Sequence, residues 1–258
     1  MPHLARDGVK LYYHEAGSGP PVVFLHGWTC DRSHFAAQVA HFSAAHRCIA
    51  VDLRGHGESD KPEQDYTIEC FADDLAWMCG ELGVARAVLV GHSMGGAVAL
   101  ALAARRPELC EALVMLDPAI LFPAESQPLI AQLIAGLRSP EGAAVTRSFA
   151  GGQFFLKTSD PALKERLLEA MCRTPMHVVS SAFEGVAAFD GEAALRSVRA
   201  PVLYVEADPL IDRLDRLREL CPDVITGKTV GSGHFHQLEV PEQVNAMIAR
   251  FLAVSVPA

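Results

Sequence analysis

Short apolar runs alternate with amphipathic segments along much of the chain. Runs rich in β-branched and aliphatic residues predict strands that are buried on both faces. They span residues 21–25, 48–51, 88–90, 112–116 and 201–205. Between them, apolar residues recur at three- and four-residue spacing, as in residues 68–82, and this spacing predicts helices that bury one face. The alternation of strands and helices predicts a mostly parallel sheet with right-handed crossovers.

Further strands and helices are predicted near the two ends of the chain and after the strand at residues 21–25. Residues 8–16 alternate between apolar and polar side chains before a glycine-rich turn, which predicts an antiparallel edge strand. A helix is expected around residues 31–45, and a last strand near residues 224–230. The closing helix is expected to begin at Pro241, because proline is favoured in the first turn of a helix.

The rhythm changes between residues 119 and 199. No convincing strand interrupts this stretch, and its apolar spacing predicts helices. The predicted helices lie near residues 128–137, 141–150, 161–173 and 176–188. We therefore predict a helical cap at 119–199, inserted into an α/β core that is formed by 1–118 and 200–258. The alternative is a set of ordinary crossover helices, although such long strandless connections are uncommon and often functional.

Composition narrows the range of partners. The 258 residues carry a net charge of −9 with no cluster of Lys or Arg, which argues against nucleic acid or an anionic membrane surface as a partner. No signal peptide or run of about 18 apolar residues is recognisable, so a cytoplasmic protein is expected. The seven cysteines are scattered without paired spacing and predict reduced core residues. Whether the protein is a monomer or a homodimer stays open.

The most informative stretch is residues 88–97, where an apolar strand leads directly into a serine flanked by glycines. Gly91 and Gly95 leave room for a strained backbone at Ser93, at the tip of a sharp turn. The predicted helix that follows supplies unpaired N–H groups and the positive end of its dipole. A serine in this position is suited to act as a nucleophile.

This stretch resembles the nucleophile elbow of the α/β-hydrolase superfamily, and residues 231–241 resemble its histidine loop. The resemblance is to serine hydrolases with a helical cap, in the esterase, lactonase and haloperoxidase-like branch. It implies the α/β-hydrolase fold, with Ser93 as nucleophile and His234 as general base. His236 is the nearest competitor for the base, but the resemblance places the base directly after the glycine.

The acid that orients the histidine is less well defined by the sequence. Asp208 is expected to take this role, since it follows the strand before the histidine loop and completes the superfamily's chain order of Ser, Asp, His. The turn at Asp208 is about one residue shorter than the superfamily pattern. Asp212 lies close by, and Asp117 follows the strand after Ser93, a position that some relatives use.

Two backbone N–H groups are expected to stabilise the oxyanion that forms when Ser93 attacks a carbonyl. The N–H of Met94, directly after the nucleophile, is the first of them. The resemblance places the second at Trp28, whose side chain is also expected to border the acyl pocket. His26 and His92 are expected to brace the neighbouring loops.

Together these residues predict a serine hydrolase that cleaves a carboxylic ester or lactone of a small to medium hydrophobic substrate, with no metal or organic cofactor. A serine at position 93 argues against dehalogenase or epoxide hydrolase chemistry, in which an aspartate would stand there. Alternatives on the same residues are carbon–carbon bond hydrolysis, amide hydrolysis and perhydrolase activity. Two alternatives of a different class are a dinucleotide-binding oxidoreductase, suggested by Gly91, Ser93 and Gly96 after a strand, and a non-catalytic ligand receptor.

Overall fold

A computed structural model describes residues 2–208 and 213–256. Its centre is a sheet of eight strands in the order β1-β2-β4-β3-β5-β6-β7-β8. The strands are β1 (His3–Arg6), β2 (Val9–Ala16), β3 (Pro21–Leu25), β4 (Arg47–Val51), β5 (Ala87–His92), β6 (Cys110–Leu116), β7 (Val202–Glu206) and β8 (Ile225–Lys228). Each strand from β3 to β8 pairs in parallel with its neighbours in that group.

The antiparallel pairings are confined to one side of the sheet, where β2 pairs with both β1 and β4. Residues 9–16 form the predicted antiparallel strand, β2, but the prediction that it is the edge strand is wrong, because β1 lies between β2 and the edge of the sheet. The four residues of β1 are half-exposed or exposed, so they carry no buried apolar run that the sequence pattern could indicate.

The described part of the chain forms eleven α-helices. They are α1 (Ala36–Phe42), α2 (Ile68–Glu81), α3 (Met94–Arg105), α4 (Gln127–Leu137), α5 (Gly142–Gln153), α6 (Pro161–Met171), α7 (Met176–Ala188), α8 (Gly191–Ser197), α9 (Leu214–Leu220), α10 (His236–Glu239) and α11 (Pro241–Ser255). The helix expected over 31–45 is divided, since a 3₁₀ turn over Arg32–Phe35 precedes α1. Asp31 caps that turn by accepting the N–H of Ser33 at 2.8 Å.

The sheet buries apolar side chains on both faces. On one face, Phe24 and Val90 of the strands form a cluster with Phe42 of α1 and Ile248 of α11. On the other, strand residues including Leu89 pack with the apolar faces of α2 and α3. Burial on both faces explains why these strands have almost no polar residues.

The helices α4–α8 all lie between β6 and β7 in the chain, and residues 119–199 contain no strand. We call residues 119–199 the helical insertion. Its helix α7 contacts the segment before α2, where the N–H of Tyr66 donates to Ser181 Oγ at 2.8 Å. A Cβ added to Gly185 of α7 would lie 2.3 Å from the carbonyl oxygen of Tyr66, so the glycine permits this close approach. The insertion is thereby held against the core at α7.

All seven cysteines are free thiols. Four of them, Cys30, Cys48, Cys79 and Cys110, are buried, and the other three are partly exposed. Within the described ranges, no helix combines the length and apolar character that spanning a bilayer would need.

Candidate active site

Ser93 lies between the end of β5 and the first residue of α3, with φ of 53° and ψ of −119°. A positive φ is unusual for a residue with a side chain and marks local strain. The N–H of Ser93 donates to the carbonyl oxygen of Leu116 at 3.0 Å, and its own carbonyl oxygen accepts the N–H of Gly96 at 2.9 Å. These bonds from β6 and α3 hold the strained turn, and the side chain stands at the positive end of the α3 dipole.

Two glycines allow the turn to pack this tightly. A Cβ on Gly91 would lie 2.2 Å from the carbonyl oxygen of Gly95, and a Cβ on Gly95 would lie 2.1 Å from the carbonyl oxygen of Leu25. Real Cβ atoms do not approach backbone oxygens so closely. A side chain at Gly91 would force β5 and the start of α3 apart, and one at Gly95 would force α3 and β3 apart. The flanking glycines are required by close approach, as the sequence suggested.

His234 is brought to this turn by the loop that follows β8. Its ring centroid lies 4.5 Å from that of His92, the residue before Ser93. The Nε2 of His92 donates to the carbonyl oxygen of His234 at 2.8 Å. The side chain of His234 is 3% exposed. The structure therefore places His234 beside the serine turn, although the two are 141 positions apart in the chain.

The acid beside His234 is Asp117. Its Oδ2 lies 2.6 Å from Nδ1 of His234, and its side chain is fully buried. Asp117 is the first residue after β6, which is the direct neighbour of β5 in the sheet. When Nδ1 donates its hydrogen to this carboxylate, the neutral ring is left with Nε2 unprotonated and able to take a proton.

The expectation for Asp208 has to be corrected. Asp208 Oδ1 lies 2.6 Å from Nζ of Lys228, and the aspartate side chain is 45% exposed. It follows β7, which is two strands away from β5, and the adjacent strand β8 supplies its lysine partner. An exposed ion pair with lysine leaves Asp208 without the contact to the imidazole that Asp117 makes. The other alternative, Asp212, falls outside the described residues.

The loop after β3 lies against the serine turn. A Cβ on Gly27 would be 3.2 Å from Cβ of Ser93, so the backbone of the next residue, Trp28, is held near Ser93. Among the described residues, no backbone oxygen accepts the N–H of Trp28 or of Met94. The indole Nε1 of Trp28 donates instead to the carbonyl oxygen of Val179 in α7, at 2.8 Å.

Three other histidines near the site are buried and have structural partners. His26 Nδ1 contacts the carbonyl oxygen of Gly27 at 2.8 Å and His26 Nε2 accepts the N–H of Leu53 at 3.0 Å. His236 Nδ1 contacts the hydroxyl of Thr229 at 3.2 Å. Burial lowers the pKa of His26 to about 4 and that of His236 to about 4. Burial, and next the adjacent His234, lower the pKa of His92 well below its ordinary value.

Four aromatic side chains link the loop after β3 with His234, and we call them the aromatic arch: Trp28, Phe183, Phe149 and Phe154. Successive ring centroids are 5.2 Å apart from Trp28 to Phe183, 5.9 Å from Phe183 to Phe149 and 5.4 Å from Phe149 to Phe154, each in an edge-on geometry. The last ring stacks on His234 with centroids 4.4 Å apart. Three of these rings come from the helical insertion, so the insertion supplies an apolar boundary to the site.

A cavity of about 670 Å³ lies between the core and the helical insertion. Residues 29–33 of the core and Arg173 of the insertion are among its lining residues. Ser93, Asp117 and His234 do not line it, so it is separate from the site described above. Within residues 2–208 and 213–256, no three His, Cys, Asp or Glu side chains are grouped closely enough to bind a metal ion.

The sequence matches a family model described as the alpha/beta hydrolase fold, over residues 20–241. The chain belongs to this α/β hydrolase family. The matched range contains all of the site residues described above, from Trp28 to His234. Family membership favours a hydrolase over a dinucleotide-binding oxidoreductase, the alternative that Gly91 and Gly96 on either side of Ser93 suggested.

Members of the family resemble this chain over nearly its full length. The chain is 30% identical to the AB hydrolase superfamily protein YisY of Bacillus subtilis (strain 168), covering 95% of this chain and 96% of that protein. It is 31% identical to 2-(acetamidomethylene)succinate hydrolase of Mesorhizobium japonicum, covering 95% and 92%. A solved structure of a thermophilic esterase from Thermogutta terrifontis superposes with a TM-score of 0.87 at 26% identity, covering both chains completely.

Sequence reasoning on this α/β hydrolase missed the contact between the helical insertion and His234. Phe149 and Phe183 are recognisable as apolar residues of predicted helices, but helical spacing does not indicate what lies opposite them. Phe154 follows the helix predicted over residues 141–150, so this spacing does not place it at all. The sequence contains no signal that separates the two candidate acids, because Asp117 and Asp208 both directly follow buried strands. In the structure Asp117 has a positive φ of 43° and is a turn residue at the same sheet edge as Ser93.

Proposed function

We propose that the protein is a serine hydrolase that cleaves a carboxylic ester or lactone of a small to medium hydrophobic substrate. The observation that carries this proposal is the 2.6 Å contact between His234 Nδ1 and the buried carboxylate of Asp117, beside the strained turn of Ser93. A serine hydroxyl is a poor nucleophile at neutral pH unless a base removes its proton. His234 is the base in this proposal, and Asp117 holds its ring in the required tautomer.

In the first step, Nε2 of His234 takes the proton from Ser93 Oγ as Oγ bonds to the carbonyl carbon of the ester. The negative charge moves to the carbonyl oxygen, and the N–H groups of Trp28 and Met94 donate to it. The C–O bond to the leaving alcohol then breaks, and His234 returns its proton to that alcohol. This leaves the acyl group covalently attached to Ser93.

In the second step, water replaces the alcohol. His234 takes a proton from the water as its oxygen bonds to the acyl carbon, and the bond to Ser93 Oγ breaks as the serine recovers its proton. The free acid is released and the residues return to their starting states. With a lactone, the leaving alcohol and the released acid are part of the same molecule.

The aromatic arch supports a hydrophobic substrate. Its four rings carry no charged group, and Trp28 and Phe154 are 5% and 9% exposed. A charged acyl group placed against these rings would lose hydration without a compensating partner, whereas an alkyl or aryl group would gain by leaving water.

The 31% identical relative favours a second candidate, since its name describes hydrolysis of a different compound, 2-(acetamidomethylene)succinate. The same serine, histidine and aspartate could serve amide or carbon–carbon bond hydrolysis through the same proton transfers. Direct assay of 2-(acetamidomethylene)succinate beside simple esters distinguishes the candidates. Faster turnover of that compound would favour the second.

The proposal is tested by hydrolysis of p-nitrophenyl esters of graded acyl length and of simple lactones. We expect Ser93→Ala to reduce kcat/KM by at least about 10³-fold, because the nucleophile is lost while the backbone donors remain. Ser197→Ala is the matched control, because that hydroxyl lies on the surface of α8 and, among the residues that the structure describes, bonds only to the carbonyl oxygen of Ala193 at 3.1 Å. Circular dichroism and the Tm check the fold. Retained turnover in folded Ser93→Ala would refute the proposal.

A further inference from the structure

Phe154 belongs to the helical insertion, yet its ring lies on the imidazole of His234. The two ring centroids are 4.4 Å apart and the planes are inclined by 29°, which is a stacked geometry. Phe154 follows α5 directly and is 9% exposed. One face of the imidazole is therefore covered by the face of an aromatic ring.

The backbone of Phe154 fixes this stacking independently of its side chain. The N–H of His234 donates to the carbonyl oxygen of Phe154 at 2.9 Å. A Cβ on Gly233 would lie 2.5 Å from that same oxygen, so the glycine before the histidine allows the approach. Because the main chain holds the two segments together, a substitution of the Phe154 side chain leaves this anchor in place.

The charges around His234 come from several elements. Asp117, after β6, is the carboxylate in contact with the ring. His92 of β5 packs against His234 at 4.5 Å, and His236 on the same loop lies close to His92 at 6.3 Å. The lowered pKa values of His92 and His236 leave both rings neutral at pH 7. Glu239 of α10 accepts the N–H of Gly233 at 3.0 Å, behind the loop.

We propose that Phe154 is a positioning residue whose ring face stabilises the protonated imidazole of His234 during acyl transfer. The inference rests on the proposed serine hydrolysis, in which His234 carries a positive charge after it takes the proton from Ser93. That cation forms between the Asp117 carboxylate and the Phe154 ring. The face of an aromatic ring is negative and attracts a cation placed over it.

Removal of the Phe154 ring should lower both the rate of the reaction and the pH at which His234 becomes protonated. Phe154→Leu keeps an apolar side chain over the imidazole but removes the aromatic face, so the protonated form loses stabilisation relative to the neutral form. We expect kcat/KM to fall about threefold to thirtyfold, the range typical of a cation–π contact. The midpoint of the acid limb of the pH–rate profile should move down by about 0.5 to 1.5 pH units.

Phe155→Leu is the matched control. Phe155 is also 9% exposed and follows in the chain, but its ring packs on Phe235 at 5.4 Å and lies under the Lys164 ammonium at 5.3 Å. This control variant should lose similar packing while leaving the midpoint of the pH–rate profile where it is. A general loosening of the fold would lower the rates of both variants without moving the midpoint.

The decisive measurements are the pH–rate profiles of the wild type and both variants, together with an NMR titration of the His234 ring. The proposal predicts a downward shift in Phe154→Leu alone, in both measurements. An unchanged or raised midpoint in Phe154→Leu, or an equal shift in Phe155→Leu, would overturn it. The NMR titration needs no turnover, so it tests the ring contact even if the proposed ester hydrolysis fails.

Discussion

In the proposed reaction His234 becomes positively charged when it takes the proton from Ser93 at Nε2. A negative charge beside Nδ1, on the opposite side of the ring, stabilises that protonated ring. Asp117 supplies that charge at 2.6 Å from Nδ1 and is fully buried. Asp208 is paired with Lys228 and is 45% exposed, so water and the lysine already satisfy it. At the scale of single residues, the two aspartates are predicted to differ sharply in their effect on catalysis.

Isosteric substitution of each aspartate tests this difference. Asp117→Asn should lower kcat by about 10³- to 10⁴-fold, because an amide cannot stabilise the protonated imidazole and favours the wrong tautomer. Asp208→Asn is the matched control and should leave kcat within about twofold, since an exposed ion pair contributes little. Steady-state kinetics on one p-nitrophenyl ester measure both. A large loss in Asp208→Asn with a small one in Asp117→Asn would contradict the assignment.

The position of Ser93 at a strand-to-helix turn could be predicted from the sequence, because its local pattern of apolar run, glycine, serine and glycine is specific. The placement of His234 beside that turn also follows from a local pattern, the glycine-rich stretch before it. The acid could not be chosen in this way. Asp117 and Asp208 both follow buried strands, and only the order of strands in the sheet places Asp117 next to Ser93.

At the scale of elements, α7 is the helix that attaches the helical insertion to the core. The indole of Trp28 donates to Val179 of α7 at 2.8 Å, and Gly185 of the same helix meets the carbonyl oxygen of Tyr66. Contacts of this kind couple the stability of the insertion to the geometry of the aromatic arch. A change that pushes α7 away from the core should therefore affect both.

Gly185→Ala tests the close approach of α7. Its Cβ would lie 2.3 Å from the Tyr66 carbonyl oxygen, so the helix must shift, and we expect a net loss of about 1–3 kcal/mol in the free energy of unfolding. Gly152→Ala in α5 is the control, since a Cβ there meets no atom within 4 Å. It should gain about 0.5–1 kcal/mol from helix propensity. Urea unfolding compares the two, and a Gly185→Ala variant as stable as the wild type would argue against tight docking.

Four of the five helices of the insertion were predictable because their apolar residues repeat with a helical period. The four segments predicted from the sequence correspond to α4, α5, α6 and α7. The short helices α8, α9 and α10 were not predicted, since elements of seven, seven and four residues are too brief to establish a period. The direction in which the insertion packs was also beyond the sequence, because it depends on contacts between remote segments such as Trp28 and α7.

At the scale of the whole molecule, the proposed chemistry depends on four remote parts of the chain. β3 leads to Trp28, β5 to Ser93 and β6 to Asp117, while the loop after β8 carries His234. Because β3, β5 and β6 are parallel neighbours, their carboxyl ends meet at one edge of the sheet. The helical insertion then adds Phe154 above the histidine. The alternation of strands and helices predicts this class of sheet, but the exact order of its strands requires the fold.

Reaction with a fluorophosphonate, followed by mass spectrometry of the digested protein, tests the central claim most directly. The reagent phosphonylates a serine only when a neighbouring base activates its hydroxyl. The account predicts one adduct on Ser93 in the wild type and labelling at least about 10²-fold slower in His234→Ala. An adduct on another residue, or equally fast labelling of Ser93 in His234→Ala, would contradict it.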